Sequence, residues 1–231
     1  MWHMARPRKP LLSRARIVAC ALALVDDEGL QAVTTRRLAA ELGVRGPSLY
    51  NHFRTKDDIL DAVADAVCAD VDLSMFEPYT EGAEAAEGAE RAGSTDGPGA
   101  ADWQDALARW ARSYRAALAA HPHIVPYLAR GPGRRPSQLR MADAVFGALT
   151  AAGWSRAQAT HIGATMRYFV AGSALGSFAR GFVDDAELYA RDYPHLDEAH
   201  LLAEYQQRVD DGAFETGLRA LLAGLAQPRD D

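Results

Sequence analysis

The chain is poor in the features that secreted, membrane-borne and metal-built proteins depend on. It has two cysteines, Cys20 and Cys68, in 231 residues. Both lie inside helical patterns without metal-ligand spacing, which argues against a disulfide framework and fits a reducing cytosol. They read as small buried hydrophobes. No apolar run approaches the ~18 residues that a membrane helix needs, and no signal-peptide apolar region precedes the first amphipathic helix. The expectation is therefore a cytoplasmic protein with no membrane partner. No alternating strand pattern persists. There is no His-Glu-x-x-His, no Cys-x-x-Cys, no nucleophile elbow and no phosphate-cradling glycine loop. Nothing positive speaks for an enzyme, a cofactor or a metal ion.

Positive charge is scarce overall, with a net charge of −6, which taken alone argues against nucleic acid. Its distribution reverses the argument. Residues 1–56 hold ten lysines and arginines against four acids, a net of +6; the remaining 175 residues hold 15 against 27, a net of −12. A basic module on an acidic body presents one end to phosphate and repels it from the other.

What is present is helical periodicity, which predicts an all-α fold. Residues 1–10 are basic and contain proline, the composition of a flexible arm. A first helix is expected from about Leu12 to Asp27, burying Ile17, Val18, Ala21, Leu22 and Val25 and stopped by Gly29. The stretch 34–53, TTRRLAAELGVRGPSLYNHF, has the grammar of a helix-turn-helix. One helix runs from Thr35 to Leu42, and Gly43 follows where a left-handed residue is cheapest. A second helix opens on Pro47, whose missing N–H costs nothing in a first turn. Leu38, Ala39, Leu42, Val44, Leu49 and Phe53 pack the two helices together. Arg36, Arg45, Ser48, Tyr50, Asn51 and His52 face outward and suit phosphates and base edges. A connecting helix then runs from Lys56 to about Leu73 on Ile59, Leu60, Val63, Val67 and Val71.

Residues 77–101 are acidic and low in complexity, a linker or insertion with a transient helix around Ala83–Ala92. The remainder reads as a helical bundle. Trp103, Leu107, Trp110, Tyr114 and Leu118 form an aromatic-rich buried stripe that ends at His121-Pro122. A short helix spans about His123–Arg130, and a Gly/Pro/Arg loop covers 131–136. Further helices are expected over Ser137–Ala152 (on Leu139, Ala142, Phe146 and Leu149), Ser155–Arg180, Leu196–Asp210 and Ala213–Ala226, with an acidic, aromatic loop at 181–195. The domain division is thus 1–10 arm, 11–56 DNA-binding unit and 57–231 regulatory body.

This order of helices, with Thr34-Thr35-Arg36, Leu38-Ala39, Leu42-Gly43-Val44, Pro47-Ser48-Leu49-Tyr50, His52-Phe53 and Lys56, resembles the tetracycline-repressor (TetR) family of bacterial transcriptional regulators. Trp103-Gln104-Asp105, Tyr114 to Leu118, Phe214, Gly217-Leu218 and Gly224-Leu225 resemble the bodies of the tetracycline repressors themselves. The resemblance implies a homodimer that places Pro47–Phe53 of each subunit in the major groove of one half-site of a palindromic DNA operator. Thr35, Tyr50, His52 and Lys56 would hold phosphates. Arg36 would reach a guanine edge, while Arg45, Gly46 and Ser48 would set the remaining preference, Gly46 by close approach. A small-molecule effector would occupy the body, walled by Trp103, Trp110, Tyr114, Tyr127, Met141, Met166, Tyr168 and Phe169. Asp72 and Leu128 stand where the tetracycline repressors place histidines that meet the drug and its magnesium, so a metal–tetracycline effector is not expected. Dimerisation would use Ser155–Arg180, with the small residues Gly172 to Gly176 on one face, and the last helix. The rival reading is a DNA-binding regulator that answers to a protein partner or to no ligand.

Overall fold

The computed structural model describes residues 12–79, 102–130 and 134–225, and every regular element among them is helical. The arm, the insertion from residue 80 onward, the helix expected at Ala83–Ala92, residues 131–133 and Ala226 lie outside the described residues.

Local signals set the first four helices. α1 (Arg14–Glu28) starts at Ser13, whose hydroxyl accepts the Arg16 N–H, and ends at Gly29 with φ +83°. A 3-10 turn, Leu30–Ala32, leads to α2 (Thr35–Leu42), capped by Thr34 and closed by Gly43 at φ +65°. That left-handed backbone strains any residue with a Cβ. α3 (Gly46–Tyr50) is one turn long, and α4 (Lys56–Ala69) opens with a capping box in which Thr55 and Asp58 satisfy each other's N–H groups. Leu38, Ala39, Leu49 and Phe53 are buried as expected, with Leu42 and Val44 half-buried at the margin. On α1 the buried face is Ile17, Ala21, Leu24 and Val25; Val18 and Leu22 are only half-buried.

The body is built around α5 (Asp102–Ala120), whose stripe Trp103, Leu107, Trp110, Tyr114 and Leu118 is buried throughout. A 3-10 turn, Pro122–Ile124, and α6 (Val125–Leu128) follow. Then come α7 (Pro136–Ala151), α8 (Arg156–Ser173), α9 (Ala186–Asp192) and α10 (Gln206–Leu225). α5 packs on α4, α7, α8 and α10, whereas α4 packs on α1 as well as on α5, α6 and α7. α4 is therefore the shared element of the two halves.

Four expectations for the body need correction. On α7, Leu139 and Ala142 are exposed, and the buried face is Met141, Val145, Ala148 and Leu149. This helix is apolar on more than one side, so its neighbours, not its periodicity, choose the inner face. α8 ends at Ser173, where the hydroxyl donates to the Val170 carbonyl at 2.7 Å and competes with the helix ladder. Ala174, Leu175 and Gly176 thus lie beyond the helix, and the small-residue stripe is not a helical face. The segment 181–195 contains α9, capped by the Asp185 carboxylate on the Leu188 N–H. The helix expected at Leu196–Asp210 is a 3-10 turn, Ala199–Leu201, and α10 runs unbroken through Gly212.

Candidate functional site

The outward side of the helix-turn-helix carries donors that the fold has not used up. Arg37 is tied down, 2.8 Å from Glu28 and 2.9 Å from Glu41, but its neighbour Arg36 is exposed at the start of α2 beside half-buried Thr35. Arg45 is exposed and extended as the residue before α3. The helix begins at Gly46, so Pro47 is its second residue, not its first; within the first turn its missing N–H still costs nothing. α3 ends at Tyr50, and both His52 and Phe53 donate their N–H groups to the Leu49 carbonyl at 3.0 Å. Pro47–Phe53 is thus one helical turn followed by a tight turn. Ser48 and His52 are half-buried, while Tyr50 is 56% exposed, a large aromatic left at the tip of the motif. Lys56 spends one of its three donors on the Leu30 carbonyl at 3.1 Å, which fixes the stem of the side chain. Arg14 counted only as charge in the sequence. Here its guanidinium lies 4.0 Å above the Phe53 ring and donates to the His52 carbonyl, so α1 buttresses the turn after α3.

Polar contacts lock this unit to the body. His121 meets the Asp26 carboxylate at 2.9 Å, and His123 Nδ1 lies 2.9–3.0 Å from the Asp26 and Val25 carbonyls. The His-Pro-His segment therefore holds the C-terminal end of α1. On α4, Asp61 accepts from Arg135 at 2.9 Å and from the Tyr127 hydroxyl at 3.2 Å, and Asp65 accepts the Ser137 N–H at 2.6 Å. Arg135 is buried, and its Nη1 also donates to Gln138 Oε1 at 2.9 Å.

Gln138 opens onto a cavity of about 390 Å³ between α5, α7 and α8. Of the eight predicted wall residues, Trp110, Met141 and Tyr168 line it. The other five serve the core. Trp103 stands edge-on to Trp154 at 5.5 Å, Tyr114 stacks behind Trp110 at 5.7 Å, and Phe169 stacks on Phe214 at 5.2 Å. Met166 is fully buried, and Tyr127 is turned toward α4. Only Trp110 sits at the edge of the α5 stripe that faces the gap. Gln138, Phe146 and Arg167 also line the cavity, and two of them carried a legible signal as polar residues within apolar helices. Trp110 Nε1 and Gln138 Nε2 are buried donors without a hydrogen-bond partner, each a cost of about 1–3 kcal/mol.

The Gln138 amide is close enough to influence Cys68 and Tyr114. Burial pushes the Cys68 thiol up to about 11 and the Tyr114 hydroxyl up to about 12, with Gln138 pulling the other way in both. Cys68 is expected to resist iodoacetamide at pH 8 in the native protein and to react once denaturant is added, because only the thiolate attacks; mass spectrometry of the alkylated peptide checks this. A larger open groove between α5 and α10 is lined by charges that satisfy one another, Arg112 with Glu215 and Arg115 with Asp211.

Sequence comparison agrees with this geometry. The family model of bacterial regulatory proteins of the tetR type matches residues 17–63, and the tetracyclin repressor-like C-terminal domain matches residues 97–228. The chain belongs to the tetracycline-repressor family. It is 33% identical to the class A tetracycline repressor of transposon 1721 from Escherichia coli, over 92% of this chain and 90% of that one. It is 30% identical to an HTH-type transcriptional regulator of Saccharopolyspora erythraea, over 94% and 86% respectively. Among solved structures, ActR of Streptomyces coelicolor in complex with actinorhodin is similar at a TM-score of 0.65, with 26% identity over 93% of this chain and 95% of that one. TetR from Acinetobacter baumannii is similar at 0.63, with 26% identity over 94% and 100%.

This TetR-family chain is a ligand-responsive DNA-binding repressor that acts on operator DNA as a homodimer. These relatives are transcriptional regulators, not enzymes. No helix of the described residues is long and apolar enough to cross a membrane. Of the two positions in question, only one holds a residue that could meet a drug-bound magnesium. Leu128 is buried and offers no ligand atom. The Asp72 carboxylate is held below its ordinary range by the Ser74 backbone N–H, which it accepts at 2.9 Å.

Proposed function

We propose that the operator is a palindrome whose half-sites are each read by Arg36, Arg45, Gly46 and Ser48, with Thr35, Tyr50, His52 and Lys56 on the flanking phosphates and Pro47 fixing the turn. The observation that supports this most is the exposed set Arg36, Arg45 and Tyr50 within the helix-turn-helix, joined through α4 to a body that holds a cavity. Phosphate contacts set position and base contacts set preference. Selection from random duplexes at several salt concentrations tests the reading: a two-fold symmetric consensus is expected, with affinity falling steeply as salt rises. A non-symmetric consensus would contradict it.

Gly46 sharpens the test. A Cβ built there meets nothing in the protein within 4 Å, so folding does not require the glycine. Gly46→Ala is expected to leave thermal stability within about 1 kcal/mol of the parent. Its preference for the selected operator over random duplex should fall in competition binding, because the methyl group intrudes where a base edge approaches.

The effector occupies the α5–α7–α8 cavity, not a metal–tetracycline site, and releases the operator by moving α4. The boundary between the two functional units falls at the N-terminal end of α4, near residue 56. In this account Gln138, Arg135 and Asp61 link cavity to helix through contacts of 2.9 Å each. The two subunits meet through α8, α10 and the exposed apolar residues Tyr168, Leu175, Phe178 and Tyr205, which a second copy would cover. The reading calls for no catalysis. It places the protein in the cytoplasm, at the nucleoid while bound to operator. A thermal-shift screen separates it from a ligand-independent or protein-partnered regulator, for which no small molecule would raise the melting temperature.

A further inference from the structure

We propose that the cavity between α5, α7 and α8 selects largely apolar effectors that carry a hydrogen-bond acceptor and no positive charge, the acceptor oxygen seating between Trp110 Nε1 and Gln138 Nε2. This rests on the reading of that cavity as the effector site and adds the chemistry of its occupant.

The donors carry the argument. Trp110 and Gln138 are each 2% exposed, and both N–H groups lack a partner. Buried donors are nearly always paired, so an unpaired one calls for a specific account; an oxygen bound between these two lining residues would give both a partner, the Gln138 amide turning to it from its neighbours Cys68 and Tyr114. Of the other polar groups of the lining, the exposed Tyr168 hydroxyl can donate or accept, and the rest are positive or already engaged. Gln138 Oε1 accepts from Arg135 at 2.9 Å. Arg167 donates to the Leu128 carbonyl at 3.0 Å, and its guanidinium adds positive charge to the wall. The Thr160 hydroxyl donates to the Arg156 carbonyl at 2.8 Å.

Among the described residues, no aspartate or glutamate lines the cavity. A ketone, ester, phenolic or carboxylate oxygen would find donors there. An ammonium group would lose its water with no counter-charge in return. The remaining walls, Met141, Val145 and Phe146, are apolar, and the volume of about 390 Å³ lies at the small end of ligand pockets, roughly 300–1,000 Å³.

The test is calorimetric titration of the full chain with 9-fluorenone and with fluorene, tricyclic molecules of one outline that differ by a ketone in place of a methylene. Fluorenone is expected to bind about tenfold more tightly or better. That ratio should collapse to within about twofold in Trp110→Phe/Gln138→Leu, with fluorene affinity little changed. Circular dichroism and thermal unfolding confirm that the variant folds; should it not, Trp110→Phe alone is expected to lower the ratio.

Equal binding of the two compounds by the parent protein overturns the proposal but leaves the cavity as an effector site. An undiminished ratio in the folded variant overturns it too, since the ketone would then be read elsewhere. Binding of neither compound, with operator binding intact, overturns both the proposal and the assignment of the cavity.

Discussion

Tyr50→Ala should lower operator affinity by about two orders of magnitude or more at physiological salt while leaving effector affinity unchanged. Tyr50 is the largest side chain that the motif leaves in solvent, 56% exposed at the end of α3. The chain beneath it is fixed by the Leu49 carbonyl, which accepts from both His52 and Phe53, and by Arg14 over Phe53. Removing an exposed side chain from a rigid turn costs the fold little. A hydrogen bond to a charged phosphate contributes about 1.5–3 kcal/mol, and a homodimer on a palindrome loses it twice, hence the hundredfold or greater drop. Fluorescence anisotropy on labelled duplex and calorimetry with effector measure the two affinities separately. Unchanged operator binding would show that α3 is not the element seated against DNA.

Asp61→Asn should uncouple the two halves. Asp61 lies on α4 and accepts from Arg135 at 2.9 Å and from Tyr127 at 3.2 Å; Arg135 in turn holds Gln138 at the cavity wall. The asparagine keeps the shape and one accepting oxygen but loses the charge that favours this arrangement. A ligand shifts an equilibrium only by its differential affinity for the two states. Typical coupling, about 1–3 kcal/mol, corresponds to a roughly 5–150-fold change in DNA affinity. In Asp61→Asn, a ligand recovered by thermal-shift screening should still bind, and operator should still bind, but the ligand-induced loss of operator affinity should shrink to about twofold or less. An undiminished response would place the coupling in other contacts of α4, such as Asp65 with the Ser137 N–H.

The DNA-binding unit was legible because its signals are local. Gly43 marks the end of α2 within the sequence itself, and the structure honours it, adding Thr34 and Thr55 as the caps that start α2 and α4. The misplacement of the α3 start by one residue follows from Gly46, which tolerates either role. The body was less legible, since its helices are alanine-rich and apolar on several sides. Leu139 and Phe146 satisfied the period of α7 as well as Met141 and Val145 did, and only packing against α4 and α8 chose between them.

The cavity shows the same limit. Aromatic residues at helical spacing do not declare whether they fill a core or border a gap, and five of the eight expected wall residues do not line the α5–α7–α8 cavity. The informative residues were Gln138 and Arg167, polar groups inside apolar stripes, and their positions were open to view in the sequence. The unpartnered N–H of Trp110 was not, because it emerges only once the neighbours of the indole are fixed.

Footprinting the purified protein on the DNA flanking its own gene, with and without a cavity ligand, tests the central claim most directly. Protection of two symmetric half-sites that is lost on adding the ligand is the predicted result. Protection that survives a ligand shown by calorimetry to be bound in the cavity would contradict the account: the α5–α7–α8 cavity would then not control the DNA-reading face.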